Sequence, residues 1–178
     1  KVLDETQKRL NTEYGAMLLD PPYKNHAFEG ARMLLFNAST KENGGIFSQS
    51  QGWLILAESL LGRGGHAYRY YKECSPAEQN DRAEIRRLEP YIHGQFTEGA
   101  HSPNFGRSHV HWLTGTASTV MVGSVEGILG LRPKLDGIEI CPAVPSEWKS
   151  FSMRKRFRGT VLNIRVENPD GAEGGAAE

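Results

Sequence analysis

The chain has 178 residues, enough for one full domain or for the end of one and the start of another, and its 21 Lys and Arg are balanced by 21 Asp and Glu. Zero formal net charge removes the basic excess that nucleic acid or an anionic membrane surface would select, so any anion site has to be local. The two cysteines, Cys74 and Cys141, stand far apart in no metal-type spacing, which fits packing roles in a reducing, cytoplasmic setting rather than a disulfide framework.

Residues 1–11 mix charge with Leu3 and Leu10 and read as the end of an amphipathic helix. They carry neither the apolar core of a signal peptide nor an initiating Met, as expected of an internal segment. Asp20-Pro21-Pro22 then forces an irregular, extended stretch, with loop to about Phe47. An apolar helix over residues 51–61 stops at Gly62 and Gly64, and a second helix over 66–74 repeats Ala67, Tyr70 and Tyr71 at helical spacing, which predicts a helical hairpin. The apolar stretches 53–61 and 113–131 are interrupted by Glu58, Gly123 and Glu126, so no transmembrane helix is expected.

From 75 to 106 the pattern weakens to loop and a short helix near 83–88, punctuated by Pro76, Pro90 and Pro103. The clearest helix covers 112–129, where Ala117, Val120, Met121, Ser124, Val125, Ile128 and Leu129 recur at three and four and Gly130 stops the run. After Pro133 the period changes to two: Ile138 and Ile140 alternate with Glu139, and a hairpin is predicted over about 151–167, turning at Arg158-Gly159-Thr160. A junction therefore falls near 131–136. One hairpin cannot bury a sheet face by itself, so the β part has to pack on the helices or on other material. The small, acidic residues 171–178 predict a disordered tail.

Four segments could carry chemistry. Lys41-Glu42-Asn43-Gly44-Gly45-Ile46-Phe47-Ser48-Gln49-Ser50-Gln51 is a polar, glycine-containing loop running into a helix, where free amides suit an anion or sugar hydroxyls, unless the glycines serve only turns. In Gly106-Arg107-Ser108-His109-Val110-His111-Trp112-Leu113-Thr114-Gly115-Thr116-Ala117, Thr114 is either a structural cap or part of an anion site with the amides of Gly115 and Thr116. His109 and His111 share a face if extended but have no third ligand nearby, so no metal is expected. Glu84, Arg86, Glu89, Tyr91, His93, Gln95 and Thr97 crowd aromatic and polar groups as a carbohydrate site does, or as a solvated segment does. Arg154-Lys155-Arg156-Phe157-Arg158 reads as a solvated strand face.

Five motifs agree in order and spacing with one family: Lys41-Glu42-Asn43-Gly44-Gly45-Ile46-Phe47; Glu89-Pro90-Tyr91 through Gln95; His111-Trp112-Leu113-Thr114-Gly115-Thr116-Ala117; Ile128-Leu129-Gly130; and Phe157-Arg158-Gly159 with Glu167-Asn168-Pro169. Together they resemble the inverting phosphorylases of cellobiose, chitobiose and cellobionic acid, glycosyl hydrolase family 94. The resemblance implies a mainly α fold: the end of an (α/α)6 catalytic barrel over 1–130, then the beginning of a C-terminal β-sandwich domain over 131–170. It implies phosphorolysis of a β-glucosyl disaccharide with inversion, giving α-glucose 1-phosphate. Inorganic phosphate is then a substrate and no cofactor is expected.

Carried over residue by residue, the resemblance gives Gln95, Thr114 and Gly115 to phosphate. Lys41 and Glu42 face the sugar acceptor. The family's usual histidine near phosphate is replaced by Gln49, whose neutral amide donates a hydrogen bond but supplies no positive charge. Arg32 stands where acceptor-subsite residues are expected, as a partner for a carboxylate-bearing acceptor or as a structural ion-pair residue; the second basic residue of cellobionic acid phosphorylases is replaced by Phe36. The general acid Asp lies upstream in this family, and Asp4, Asp20, Asp81 and Asp136 do not match its motif. The chain alone is therefore expected to be inactive, with the rest of the barrel as its partner and a homodimer as the family's common state. A water-using hydrolase of the same barrel and a non-catalytic carbohydrate-binding fragment are the alternative readings.

Overall fold

The computed structural model describes residues 1–24 and 32–174. The chain opens on α1 (Val2–Arg9) and a minimal pair of strands, β1 (Asn11–Thr12) and β2 (Gly15–Ala16). After β3 (Ile46–Phe47) come α2 (Ser48–Leu60) and α3 (Gly64–Cys74), the expected helical hairpin. On α2 the buried residues are Gln51, Gly52, Ile55, Glu58 and Ser59, a single stripe at helical spacing. Gly62, at φ +70°, lets the chain turn back, and its amide donates to the Ser59 carbonyl at 2.9 Å.

A short α4 (Ala83–Arg86) precedes β4 (Gly94–Thr97) and β5 (Ser108–His111), which join β3 in one antiparallel sheet of order β3-β4-β5. This sheet falls where sequence periodicity indicates loop. Its strands have two to four residues each, too short to show a period of two. The helix expected over 112–129 begins later, at α5 (Thr116–Val122), and continues as a π-helical segment, Gly123–Ile128. Trp112 lies at φ 69°, outside the right-handed helical region, so the helix cannot start there.

The crossing of α2 on α5 is unusually close. A Cβ added to Gly52 would sit 2.3 Å from the Thr119 carbonyl carbon, and one on Gly123 would sit 2.7 Å from the Gly52 carbonyl oxygen. Backbone meets backbone there. The Thr119 hydroxyl adds a bond to the Gln49 carbonyl at 3.0 Å, which fixes the start of α2 against the second turn of α5.

Beyond Gly130, β6 (Leu131–Pro133) pairs with β7 (Ile138–Ile140), and β8 (Ser150–Phe157) with β9 (Thr160–Glu167) in the expected hairpin. The register puts Phe151 opposite Val166 and Met153 opposite Ile164, one apolar face that is half-buried rather than closed. The main core unites Ile55, Ala67, Tyr70, Cys74, Val120, Ile128 and Val144, with Trp148 and Phe151 packed on it, so the β part does lie on the helices. The proportion of small sheets makes these residues a mixture of helix and strand rather than mainly helical. Residues 171–174, expected to begin a disordered tail, follow a turn built on Asn168: Ala172 N–H donates to Asn168 Oδ1 at 2.8 Å, and Glu173 accepts from Gly65 N–H at 3.4 Å. Residues 175–178 of that expected tail lie outside the described residues. Among the described residues no helix is long and apolar enough to cross a membrane.

A charged network ties α1 to the hairpin. Arg63 bridges buried Glu58 at 2.9 Å and Asp4 at 2.8 Å. Burial raises the Glu58 carboxyl above its ordinary 4.5, with Arg63 opposing and Asp4 reinforcing the shift.

Two measurements test this packing. Gly52→Ala should destabilise the protein by at least about 1–3 kcal/mol, the usual cost of overpacking, because the new methyl meets backbone that cannot rotate away. Gly137→Ala, where an added Cβ meets nothing within 4 Å, is the neutral control in the same denaturation series. For Glu58 the fold favours the protonated form, so its contribution is full below the unfolded carboxyl value and is lost as pH rises through the raised folded value. Glu58→Gln should flatten the fall in Tm across that window, and an unchanged Tm–pH profile would count against the buried charge.

Candidate functional site

Register brings distant motifs to the two ends of the three-stranded sheet. Phe47 pairs with Phe96, and Gly94 with His111. One end therefore gathers the start of α2 with Gln49, the start of β4 with Gln95, and the exit of β5 towards Thr114 and Gly115. The other end gathers the Lys41–Gly45 loop, Glu98 and Arg107.

At the first end, Gln49 and Gly115 touch: a Cβ on Gly115 would lie 3.3 Å from the Gln49 amide group. Thr114 caps α5 from two residues before its start, its hydroxyl oxygen accepting from Thr116 N–H at 3.1 Å and lying 2.5 Å from the Thr116 hydroxyl. Thr116 is fully buried. When Thr116 donates that second bond, the Thr114 proton is left for an incoming acceptor. Gly115 is exposed, so its amide faces open space. Gln95 is half-buried and by strand alternation shares the face of Thr97, opposite to Phe96 and His109. It reaches the same end of the sheet as Gln49 and Gly115, from the other face.

At the second end, Asn43 is buried and holds the loop together. Its side chain accepts from Tyr23 N–H at 2.8 Å and donates to the carbonyls of Tyr23 and Phe36 at 3.0 and 2.9 Å. Gly45 packs so tightly on Lys41 that a Cβ there would lie 2.6 Å from the Lys41 carbonyl oxygen. Lys41 itself sits at φ 44° with Nζ 5.2 Å above the Phe36 ring. Glu42 is exposed, and Arg32 is exposed on a single 3-10 turn, Arg32–Leu35.

Lys41, Phe36, Phe96, Glu98, Asn104 and His109 line a cleft of about 570 Å³. Within it Glu98, nearly buried, accepts from His109 Nε2 at 2.6 Å and from the Ser102 hydroxyl. The His109 ring also stacks on Phe96, centroids 4.9 Å apart and planes 11° from parallel. Sequence reading passed over Glu98 and Ser102 because their link to His109 exists only through the β4–β5 register.

His111 turns to a different carboxylate, Glu89, at 3.2 Å. Glu89 also accepts from Trp112 Nε1 at 3.2 Å, and its own backbone amide and that indole hold its carboxyl below the usual range. The two histidines that could have shared a metal thus serve separate pairs. Among the described residues no group of three or more His, Cys, Asp and Glu could hold one. Of the aromatic and polar residues of 84–97, Arg86 is directed inward over the Tyr14 ring at 5.6 Å, its guanidinium brought down to about 10 by burial. His93 is also lowered, by burial and then by Arg86. Burial pushes the Cys74 thiol up to about 12, which makes it a packing group and no nucleophile.

Residues 1–130 match the catalytic domain of the glycosyl hydrolase 94 superfamily. The chain belongs to that family. Residues 131–173 match the C-terminal domain of glycosyl hydrolase family 65. The chain is 34% identical over 170 residues to the N,N'-diacetylchitobiose phosphorylase of Vibrio proteolyticus, an alignment covering 96% of this chain and 21% of that protein. It is 28% identical over 170 residues to the 3-O-beta-D-glucopyranosyl-beta-D-glucuronide phosphorylase of Paenibacillus borealis, covering 95% and 22%. The cellobionic acid phosphorylase of Neurospora crassa is 28% identical over 173 residues, covering 93% and 22%. The chain spans about a fifth of the length of these relatives.

Proposed function

We propose that the complete polypeptide is an inverting disaccharide phosphorylase that cleaves a β-glucosyl disaccharide with inorganic phosphate, with these residues forming the end of its (α/α)6 barrel and the beginning of its C-terminal β domain. The contact of Gln49 with Gly115 beside the Thr114 cap is the observation that carries this reading. It puts an amide group, exposed backbone and a hydroxyl next to one another, donors suited to a tetrahedral anion.

On this reading Thr114, Gly115, Gln49 and Gln95 bind phosphate, which attacks the anomeric carbon while a carboxylic acid protonates the leaving oxygen from the other face. The anomeric carbon inverts and leaves as α-glucose 1-phosphate. Gln49 orients phosphate without neutralising it, so the charge has to be met by cations outside this chain, as does the need for a general acid. Lys41, Glu42 and Arg32 serve the sugar acceptor, and Arg32 favours an acceptor that carries a carboxylate.

Turnover of cellobiose, N,N'-diacetylchitobiose and cellobionic acid by the complete polypeptide should require phosphate, and sugar release without phosphate would indicate a hydrolase. Thr114→Val should cost about 1.5–3 kcal/mol of phosphate binding, the range for a hydrogen bond to a charged group. The Michaelis constant for phosphate should then rise roughly ten- to a hundredfold, with that for disaccharide nearly unchanged. An unchanged phosphate constant would leave Thr114 a structural cap. Arg32→Ala should weaken gluconate as an acceptor in the reverse reaction much more than glucose, and equal losses would remove the charge argument.

A further inference from the structure

The cleft beside Lys41 contains a hydrogen-bonding group that the phosphate reading does not use. His109 Nε2 is committed to Glu98 at 2.6 Å, and its ring is held flat on Phe96. Among the described residues its Nδ1 has no partner. The side chain is 31% exposed and lines the cleft, so the uncommitted edge of a fixed imidazole is open to a ligand. Glu98 is in turn occupied on both oxygens, by His109 and by Ser102, whose own hydroxyl oxygen accepts from Asn104 N–H at 3.1 Å. This is a built arrangement, with carboxylate, imidazole and ring each limiting the freedom of the next.

The rest of the cleft sets the class of ligand. Its volume, about 570 Å³, is that of a small-molecule site, and Phe36 gives it an apolar wall. Lys41 brings one positive charge and Glu98 one negative, so the lining has no net preference for an anion. Hydroxyls, which both donate and accept, suit Nδ1 and the Lys41 ammonium together.

We propose that this cleft is a subsite for a neutral hexose, in which His109 is a specificity-determining residue that bonds a sugar hydroxyl through Nδ1 and Glu98 is the positioning residue that holds its ring. The proposal rests on the phosphorylase reading for its choice of sugar and adds to it a residue and a chemical preference. Glucose and gluconate titrated into the complete polypeptide and read by saturation-transfer NMR test it without any turnover.

His109→Gln keeps an amide near the Nε2 position for Glu98 but has nothing at Nδ1, so glucose should bind about tenfold more weakly, or about 1.4 kcal/mol, with Tm unchanged. His109→Asn restores a polar group near the Nδ1 position and should return glucose to within about threefold of the parent. Glucose binding unaltered in His109→Gln, an equal loss in both variants, no glucose binding by the parent, or gluconate bound about tenfold more tightly than glucose would each overturn the proposal. Phosphate-dependent cleavage is scored separately. A protein that binds glucose in this His109-dependent way but never needs phosphate keeps the subsite and loses the phosphorylase reading.

Discussion

The geometry of the candidate site depends on the backbone contact between α2 and α5 at Gly52. Helices that bear side chains at a crossing stand about 8–10 Å apart, and only the missing Cβ atoms of Gly52 and Gly123 allow the closer approach seen here. That approach carries the first turn of α2 alongside the residues leading into α5. Gln49 and Gly115 come together because of a contact about one turn away from them. The site residues are thus positioned by packing, and their own interactions only refine the result.

The change from α-helix to π-helix at Gly123 belongs to the same interface. Gly123 and Gly127 lie over Gly52, Ile55 and Ser59 of α2, where a Cβ on Gly127 would be 2.9 Å from the Ser59 hydroxyl. Glycines free the backbone to widen, and the Leu129 amide bonds back five residues to Ser124 at 2.8 Å. A helix that had stayed regular would have aimed its end differently towards Leu131. Local chain geometry therefore sets how the strands leave the helices.

How much of this could be read from the sequence depends on the range of each interaction. The α2–α3 hairpin and the β8–β9 hairpin follow from apolar periods and turn glycines that lie within a few residues of one another. Both were legible. The β3-β4-β5 sheet was not, since it joins strands from three motifs more than ten residues apart, each too short to show its own pattern. The site divides in the same way: Thr114 could be read as a cap from its neighbours, whereas the partnership of Glu98 with His109 needed the sheet register. Gln95 was nominated by resemblance, and the strand turns it to the face of Thr97.

The matched family segments meet between residues 130 and 131, yet the molecule is not divided there. Val144 belongs to the same core as Ile55, Ala67 and Ile128, its backbone passes so close to Gly64 that a Cβ there would be 2.2 Å away, and Ala143 N–H bonds to the Ile128 carbonyl at 2.9 Å. A boundary that separates evolutionary modules thus runs through the middle of one cooperative folding unit. The strands could be exchanged between relatives during descent only together with the helical surface that receives them, so the two segments are tied to a shared history by a few buried contacts.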